Sequence, residues 1–443
     1  MMSSLYSSVS GLRAHQTKMD VIGNNIANVN TVGFRSSRVT FQEIFSQTLR
    51  AATAPDPVTG RGGSNPMQVG LGINVGSIDT NTNRGSLQRT DNITDLAING
   101  NGFFIVKGSN ADEFRFTRAG NFHVDEMGNL VTSDGMLVYG WLDYGGRMQD
   151  DGTFVFDVNK PVEPINIYYD SYNNNKKVTA AKATENISLS GNLNAASEVI
   201  DTDDDPQLIV PMLVYDSLGN EYEITMEFRK TQVSGTPPVT TWTWNINGGS
   251  LATTATGTIR FDAEGKIIYD PDNPDPEVTP SVTFQPGDTV GSASFQVTFD
   301  LRKLTMYSGI GNSVKPISND GYPSGVLLSY SIGSDGMIIG VYSNGKQMPL
   351  GLIALAEFDN PAGLARGGSN TFVQTTNSGI FINGVKAGTG SAGTILSGTL
   401  EMSNVDLANQ FTEMIVTQRG FQANSRILTT IDEMLQEVTN IKR

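Results

Sequence analysis

The sequence predicts a mixed, mainly β protein in which paired N- and C-terminal α-helices, coiled-coil-like, flank two β-rich domains, the second inserted in the first. Three observations predict this. From Ser403 to Arg443 there is no Pro and a single Gly, Gly420; over that stretch Leu407, Phe411, Met414, Phe421 and Leu428 recur at steps of three, four and seven. Ile431, Met434, Val438 and Ile441 carry the stripe to the end, the spacing of one helix face. At the opposite end Leu5, Val9, Leu12, Met19, Ile22, Ile26 and Val29 repeat it. Between these ends, short alternating runs are broken by turn residues, in a chain with 48 Gly and only 17% charged residues.

A helix over residues 403–443 is about 60 Å long at 1.5 Å per residue. A narrow stripe on so long a helix calls for a second helix. Ser403 stands as its N-cap, with Asp406 three residues on in the reciprocal capping position. Gln16 and Gln418 interrupt the two stripes; a polar seam residue costs stability but fixes register. Nothing between residues 50 and 400 reads as comparably helical. The two ends are therefore expected to pair with each other, or with copies of themselves.

After the first helix, Asn28-Val29-Asn30-Thr31-Val32-Gly33-Phe34-Arg35 is a break, because Asn and Gly accept left-handed backbone. Residues 38–49 are again weakly amphipathic through Val39, Phe41, Ile44, Phe45 and Leu49, and residues 51–63 form a Pro/Gly-rich linker. The β pattern begins near Val69. Turns of one kind recur: Asp125–Gly128, Asp216–Asn220, Asp262–Gly265 and Asp335-Gly336, where Asp and Gly favour tight hairpins. Residues 150–299 differ, with an acidic run at 201–206 and a Pro-rich loop at 270–276, and read as an inserted β domain. The expected division is nested. Residues 1–30 with 402–443 form the helical domain, and 31–75 with 370–401 a connecting segment. A β domain covers 76–149 with 300–369, and 150–299 is the insertion.

Composition excludes several functions. Without Cys there are no disulfides, thiolate metal sites or thiol nucleophiles, and His15 and His123 alone make no histidine metal site. No run reaches the eighteen or so apolar residues of a membrane span, and the start lacks the basic and apolar blocks of a secretory signal. The formal charge of −15 is uneven. Residues 1–50 hold five Lys/Arg against two acids and residues 401–443 four against six, so the interior carries −16. No basic patch interleaved with aromatics points to nucleic acid.

Candidate chemistry is sparse. The Asp201–Asp205 run lacks the Gly and Glu that a calcium loop needs at its sixth and twelfth positions, which hold Pro206 and Met212. Gly70-Leu71-Gly72 and Gly100-Asn101-Gly102 precede strands and not helices, so they are turns and not phosphate cradles. No GxSxG, HExxH or paired-carboxylate signature occurs. Trp141, Trp242 and Trp244 are candidates for a carbohydrate groove, although strand-core aromatics are commoner. No catalytic, metal or cofactor-binding residue is expected.

Four separated stretches together resemble the bacterial flagellar rod and hook proteins. They are Ala27–Arg35 (with Asn28, Asn30, Gly33 and Phe34), Leu96–Val106, Ser397–Ala408 (with Ser403-Asn404-Val405-Asp406-Leu407) and Met414–Asn424 (with Gln418-Arg419). Leu328–Gly336, Val341–Lys346 and the insertion resemble the hook branch of that family. The resemblance implies a non-enzymatic subunit of a curved, helical tube between motor and filament, with the seam residues as the assembly interface. It implies copies of itself, rod, hook-cap and hook-filament junction proteins and the export apparatus as partners, and export to the flagellum without a cleaved signal peptide. The alternatives are a distal rod protein carrying an insertion, or a secreted β-rich adhesin or glycan-active enzyme. Some hook proteins link subunits through Cys and Lys; this chain has no Cys for that.

Overall fold

Helix α1 runs Met2–Ala27 and helix α2 Leu407–Ile441, with short β-strands between them. The computed structural model describes residues 2–55, 60, 62–108, 113–145, 154–172, 174–201, 205–251, 253–269, 277–286 and 291–441. The loops expected at 201–206 and 270–276 lie wholly or partly outside them, as does the Ile441 side chain. The chain divides into two units, one of Met1–Asn174, Ser331–Ile339 and Pro349–Arg443, the other of Asn175–Tyr330 and Gly340–Met348. The second unit thus takes in 175–330 and returns for 340–348, where the expected insertion covers 150–299.

Within the first unit, β1 (Ser37–Glu43) and β2 (Ser46–Arg50) replace the amphipathic segment expected at 38–49. Val39 is the one buried residue of β1, and the segment is a strand because it pairs along its whole length. β1 pairs antiparallel with β4 (Ile73–Thr80), and β2 with β3 (Met67–Gly70). Thr53 pairs with Ser64 just beyond β2 and β3, and the β part starts at 37, not near Val69. Further on, strands Phe103–Lys107, Leu137–Trp141 and Gln347–Ala356 pair around buried Phe104, Ile105, Phe116 and Trp141. Trp141 Nε1–H donates to the Lys160 carbonyl at 3.0 Å.

The second unit packs two four-stranded sheets face to face. One has the order 281–284, 295–307, 186–194, 315–319, and the other runs 208–215, 221–234, 239–247, 254–261. Trp242, Trp244, Phe228, Phe284 and Phe299 fill the space between them. All three Trp of the chain are buried, which removes the carbohydrate-groove reading.

The hairpin grammar is local and repeats in both units. Asp125 Oδ1 accepts the Asn129 N–H at 2.7 Å while Asn129 Nδ2 donates to Oδ2 at 2.8 Å. Asp216 and Asn220 make the same two bonds at 2.9 and 2.8 Å. Burial raises the Asp216 pKa, but the hydrogen bonds from Asn220 and Leu218 outweigh it and hold the carboxyl below its usual value.

Candidate assembly interface

A buried ion cluster fixes the ends of the helices to the β layers. Strand Thr399–Glu401 pairs with Leu87–Arg89, and strand Thr394–Ser397 with Leu96–Asn99. That pairing brings Glu401, 1% exposed, between Arg35 at 2.9 Å and Arg118 at 3.2 Å, both also buried. Glu401 Oε1 also accepts the Gly85 N–H at 3.0 Å, and Arg118 donates to the carbonyls of Ile98 and Gly100. Burial pulls the Arg118 pKa down to about 10 against the opposing pull of Glu401. Two guanidinium groups on one carboxylate leave each charge partnered; deleting the carboxylate leaves both without a counter-charge.

The family-motif residues supply the rest of the joint. Gly33 has φ +69 and donates its N–H to the Glu401 carbonyl at 2.7 Å. A Cβ there would sit 2.6 Å from the Ala119 nitrogen, so only Gly fits. Asn404 Oδ1 accepts the Ser36 N–H at 2.7 Å, and its Nδ2 donates to the carbonyls of Asn81 and Asn83 at 3.0 and 2.8 Å. On α1, the Asn25 side chain pairs with both the N–H and the carbonyl of Ser37, at 3.0 and 2.8 Å, and donates to Gln410 Oε1 of α2 at 3.1 Å. Phe34 lies under the Arg366 guanidinium at 5.0 Å. Asn28 Oδ1 accepts the Thr31 hydroxyl at 3.1 Å and closes the turn after α1, while Asn30 is exposed.

Asp406, not Ser403, caps α2: its Oδ1 accepts the N–H groups of Ala408 at 2.9 Å and Asn409 at 3.3 Å. Ser403 lies four residues outside the helix, buried, with its hydroxyl accepting the Val405 N–H at 3.3 Å. Asn404, bonded to Ser36, Asn81 and Asn83, holds the chain against the β layer there, and the helix begins at Leu407.

The helices pair with each other, but not seam to seam. Small residues let them approach: a Cβ on Gly11 would meet Asn424 at 2.9 Å, and one on Gly420 would meet the His15 ring at 2.8 Å. Ser8, Gly11, Ala14, Ile22 and Asn25 are the buried positions of α1. Leu5, Val9, Leu12, Met19, Ile26 and Val29 are only half covered. On α2, Thr417 and Ile431 are buried, and Met414 and Leu428 half-buried. Phe411 is 50% exposed, Met434 51% and Val438 52%; Leu407 and Phe421 are also exposed. Gln16, Gln418 and Arg419 face solvent and interrupt nothing. The expected stripe was thus turned part of a rotation from the true contact face. The displacement arises because Ser8, Gly11, Ala14, Thr417 and Gly420 carry little apolar weight yet permit the closest approach.

Residues 5–35 match the description flagella basal body rod protein, and 396–441 the C-terminal region of the flagellar basal body rod FlgEFG proteins. Residues 97–191 match the D1 domain of flagellar hook protein FlgE/F/G, and 192–322 the D2 domain of flagellar basal body protein FlaE. Terminal helices joined to the β layers of the first unit, with these matches in this order, define an axial protein of the bacterial flagellum. The flagellar hook protein FlgE of Borreliella burgdorferi is 41% identical over the whole of both chains, and that of Treponema pallidum 37% over the whole of both. The Escherichia coli protein of the same name is 34% identical over 98% of each chain. The chain belongs to the flagellar hook protein FlgE family.

Proposed function

We propose that this chain is the structural subunit of a flagellar hook: copies stack helically into a curved, flexible tube that passes torque from rod to filament and encloses an export channel. The observation that carries the reading is the outward placement of large apolar side chains on α2. Phe411, Met434 and Val438 are uncovered on a helix whose inner face is already paired with α1. Scattered exposed hydrophobics need no explanation, but Val416, Ile427, Met434 and Val438, all exposed on one side of α2 at 3.6 residues per turn, fit a further helix. The subunit works without catalysis, outside the cell, and meets rod, hook-cap, hook-filament junction and export proteins in addition to its own copies. Among the described residues no helix is long and apolar enough to cross a membrane.

A distal-rod role is the second reading, favoured by 30% identity to the flagellar basal-body rod protein FlgG of Bacillus subtilis over the whole of both chains. Electron microscopy of polymers grown from the purified chain separates the two. Curved tubes that change curvature with conditions support the hook; straight rigid rods support the rod; no polymer under any condition removes both.

A further inference from the structure

We propose that the turn after α1 and the hairpin tip packed on it form a binding site for an oxyanion, a carboxylate or phosphate group, with Arg366 as its cationic anchor. Such a site belongs to the single chain and does not depend on polymer formation.

Strands Ala365–Gly368 and Thr371–Val373 pair as a hairpin whose tip meets the segment between α1 and β1. Asn370 Nδ2 donates to the Val32 carbonyl at 3.2 Å. Arg366 Nη2 donates to the Arg35 carbonyl at 2.6 Å and to the Ser37 hydroxyl at 2.9 Å. Between tip and segment lies a cavity of about 210 Å³, with Asn24, Phe34, Arg366, Ser369 and Asn370 in its wall. Among the described residues no Asp or Glu lines it. A small anion or one acidic side chain fits there, and a folded partner does not.

Arg366 is held in place yet only partly used. Its guanidinium sits over the Phe34 ring, 5.0 Å from the centre, and both of its hydrogen bonds leave through Nη2. Of its five N–H donors, those on Nε and Nη1 meet no acceptor among the described residues. Partial burial lowers its pKa, and no carboxylate acts to raise it again. Charge in the surroundings is one-sided as well. Arg35 and Arg118 already share Glu401, so with Arg366 three guanidinium groups stand beside one carboxylate. In a chain of formal charge −15 this corner lacks negative charge.

The hairpin tip adds neutral donors. Ser369 and Asn370 hold φ of +48 and +55, a turn conformation in which Gly is the residue without a steric cost. Asn370 offsets that cost through Val32 and through its carbonyl, which accepts the Thr117 hydroxyl at 3.0 Å. The Ser369 hydroxyl bonds nothing among the described residues, yet Ser369 lines the cavity. Across from it, Asn24 Oδ1 accepts the Asn28 amide at 3.0 Å, which leaves Asn24 Nδ2 free to donate. A guanidinium, a hydroxyl and an amide all offer N–H or O–H groups, the donor set an oxyanion needs.

Calorimetric titration of the dilute, unpolymerised full chain tests the site. Sodium phosphate and sodium malonate are the probes, and sodium chloride at matched ionic strength is the control. Both probes should bind at a single site and raise the unfolding temperature of the first unit, while chloride does neither. Arg366→Gln should weaken binding about tenfold or more. Because that substitution also removes the bonds to Arg35 and Ser37, Ser369→Gly serves as the second variant. It relieves the positive φ, so the chain should unfold no earlier than the wild type while binding each probe a few-fold more weakly. Heats that chloride reproduces, or equal binding by the wild type and both variants, would overturn the proposal. Polymers then identify the source of the oxyanion. If malonate raises the critical concentration of the wild type and not of Arg366→Gln, an acidic side chain of a second copy fills the site; if polymerisation ignores malonate, a free ion does. Failure of the wild-type chain to polymerise at all would remove the hook reading and leave the calorimetric result standing.

Discussion

In the unit spanning Asn175–Tyr330 the largest side chains point inward, and in the helix pair they point outward. Trp242, Phe228, Phe261 and Phe284 are fully buried between two sheets of that unit. Between α1 and α2, Gly11 leaves no room for a side chain beside Asn424, nor Gly420 beside His15, while Phe411, Phe421 and Met434 remain outside. A core of aromatics needs no neighbour to complete it. A pair of helices that keeps its small residues inside and its large ones outside has surface left to bury, and a second copy supplies the means. Stability thus resides in the β cores and, in the first unit, in the Glu401 cluster, and assembly resides in the helices.

The largest effects should come from cutting the finished parts. Trp242→Ala should cost about 3–5 kcal/mol, the usual cost of emptying a large aromatic site. Denaturant unfolding should show the transition of the second unit moved and that of the first unit in place. Glu401→Gln keeps the shape of the joint but removes its only carboxylate, leaving Arg35 and Arg118 buried without a counter-charge. Breaking a buried ion pair this way costs about 3–5 kcal/mol, and here the first unit should carry all of it. If both substitutions shifted both transitions equally, the units would not be independent and the comparison would fail.

The next effect is smaller in the monomer and large in the polymer. Phe411→Ser removes an exposed ring, so the melting of the unpolymerised chain should stay within about 0.5 kcal/mol of the wild type. Leu428→Ala, on the half-buried inner face, should cost more, about 1–2 kcal/mol for a partly covered aliphatic site. Sedimentation of polymers should show the reverse ranking, with Phe411→Ser the more damaging. Equal damage to the monomer by both would mean that Phe411 is not set aside for assembly.

Much of the architecture was legible because it is written locally. The helices announce themselves by period, and the hairpins by Asp with Gly or Asn at fixed offsets, as at Asp125 and Asp216. The nested order follows from the change in loop character near the insertion. The phase of the helix contact was not legible, since a count of apolar weight passes over Ser8, Gly11, Thr417 and Gly420, the residues that let the two backbones approach. Strands β1 and β2 were missed for a related reason: Val39, Phe41, Ile44 and Phe45 sit at spacings that serve either period. The Glu401 cluster joins residues hundreds of positions apart, and no local pattern encodes it. Its one trace is a charged residue inside a strand, between Leu400 and Met402.

The smallest effect concerns His15, at the crossing of α1, α2 and β1. Its Nδ1 is buried without a hydrogen-bond partner, its ring stands edge-on to Phe41 at 5.5 Å, and Lys18 follows one turn later, paired with Glu413 of α2. Burial lowers its pKa below 6.5, and the Lys18 charge lowers it further. The folded chain therefore binds this proton less readily than the unfolded chain does. The contribution to stability is complete above the unfolded value of 6.5 and is lost as pH falls from there through the lower folded value. Urea midpoints measured from pH 7.5 to pH 5 should decline for the wild type, and His15→Phe should flatten that decline. An unchanged slope in His15→Phe would place the acid sensitivity elsewhere, and the helix crossing would then be no weaker in acid than the β units it is joined to.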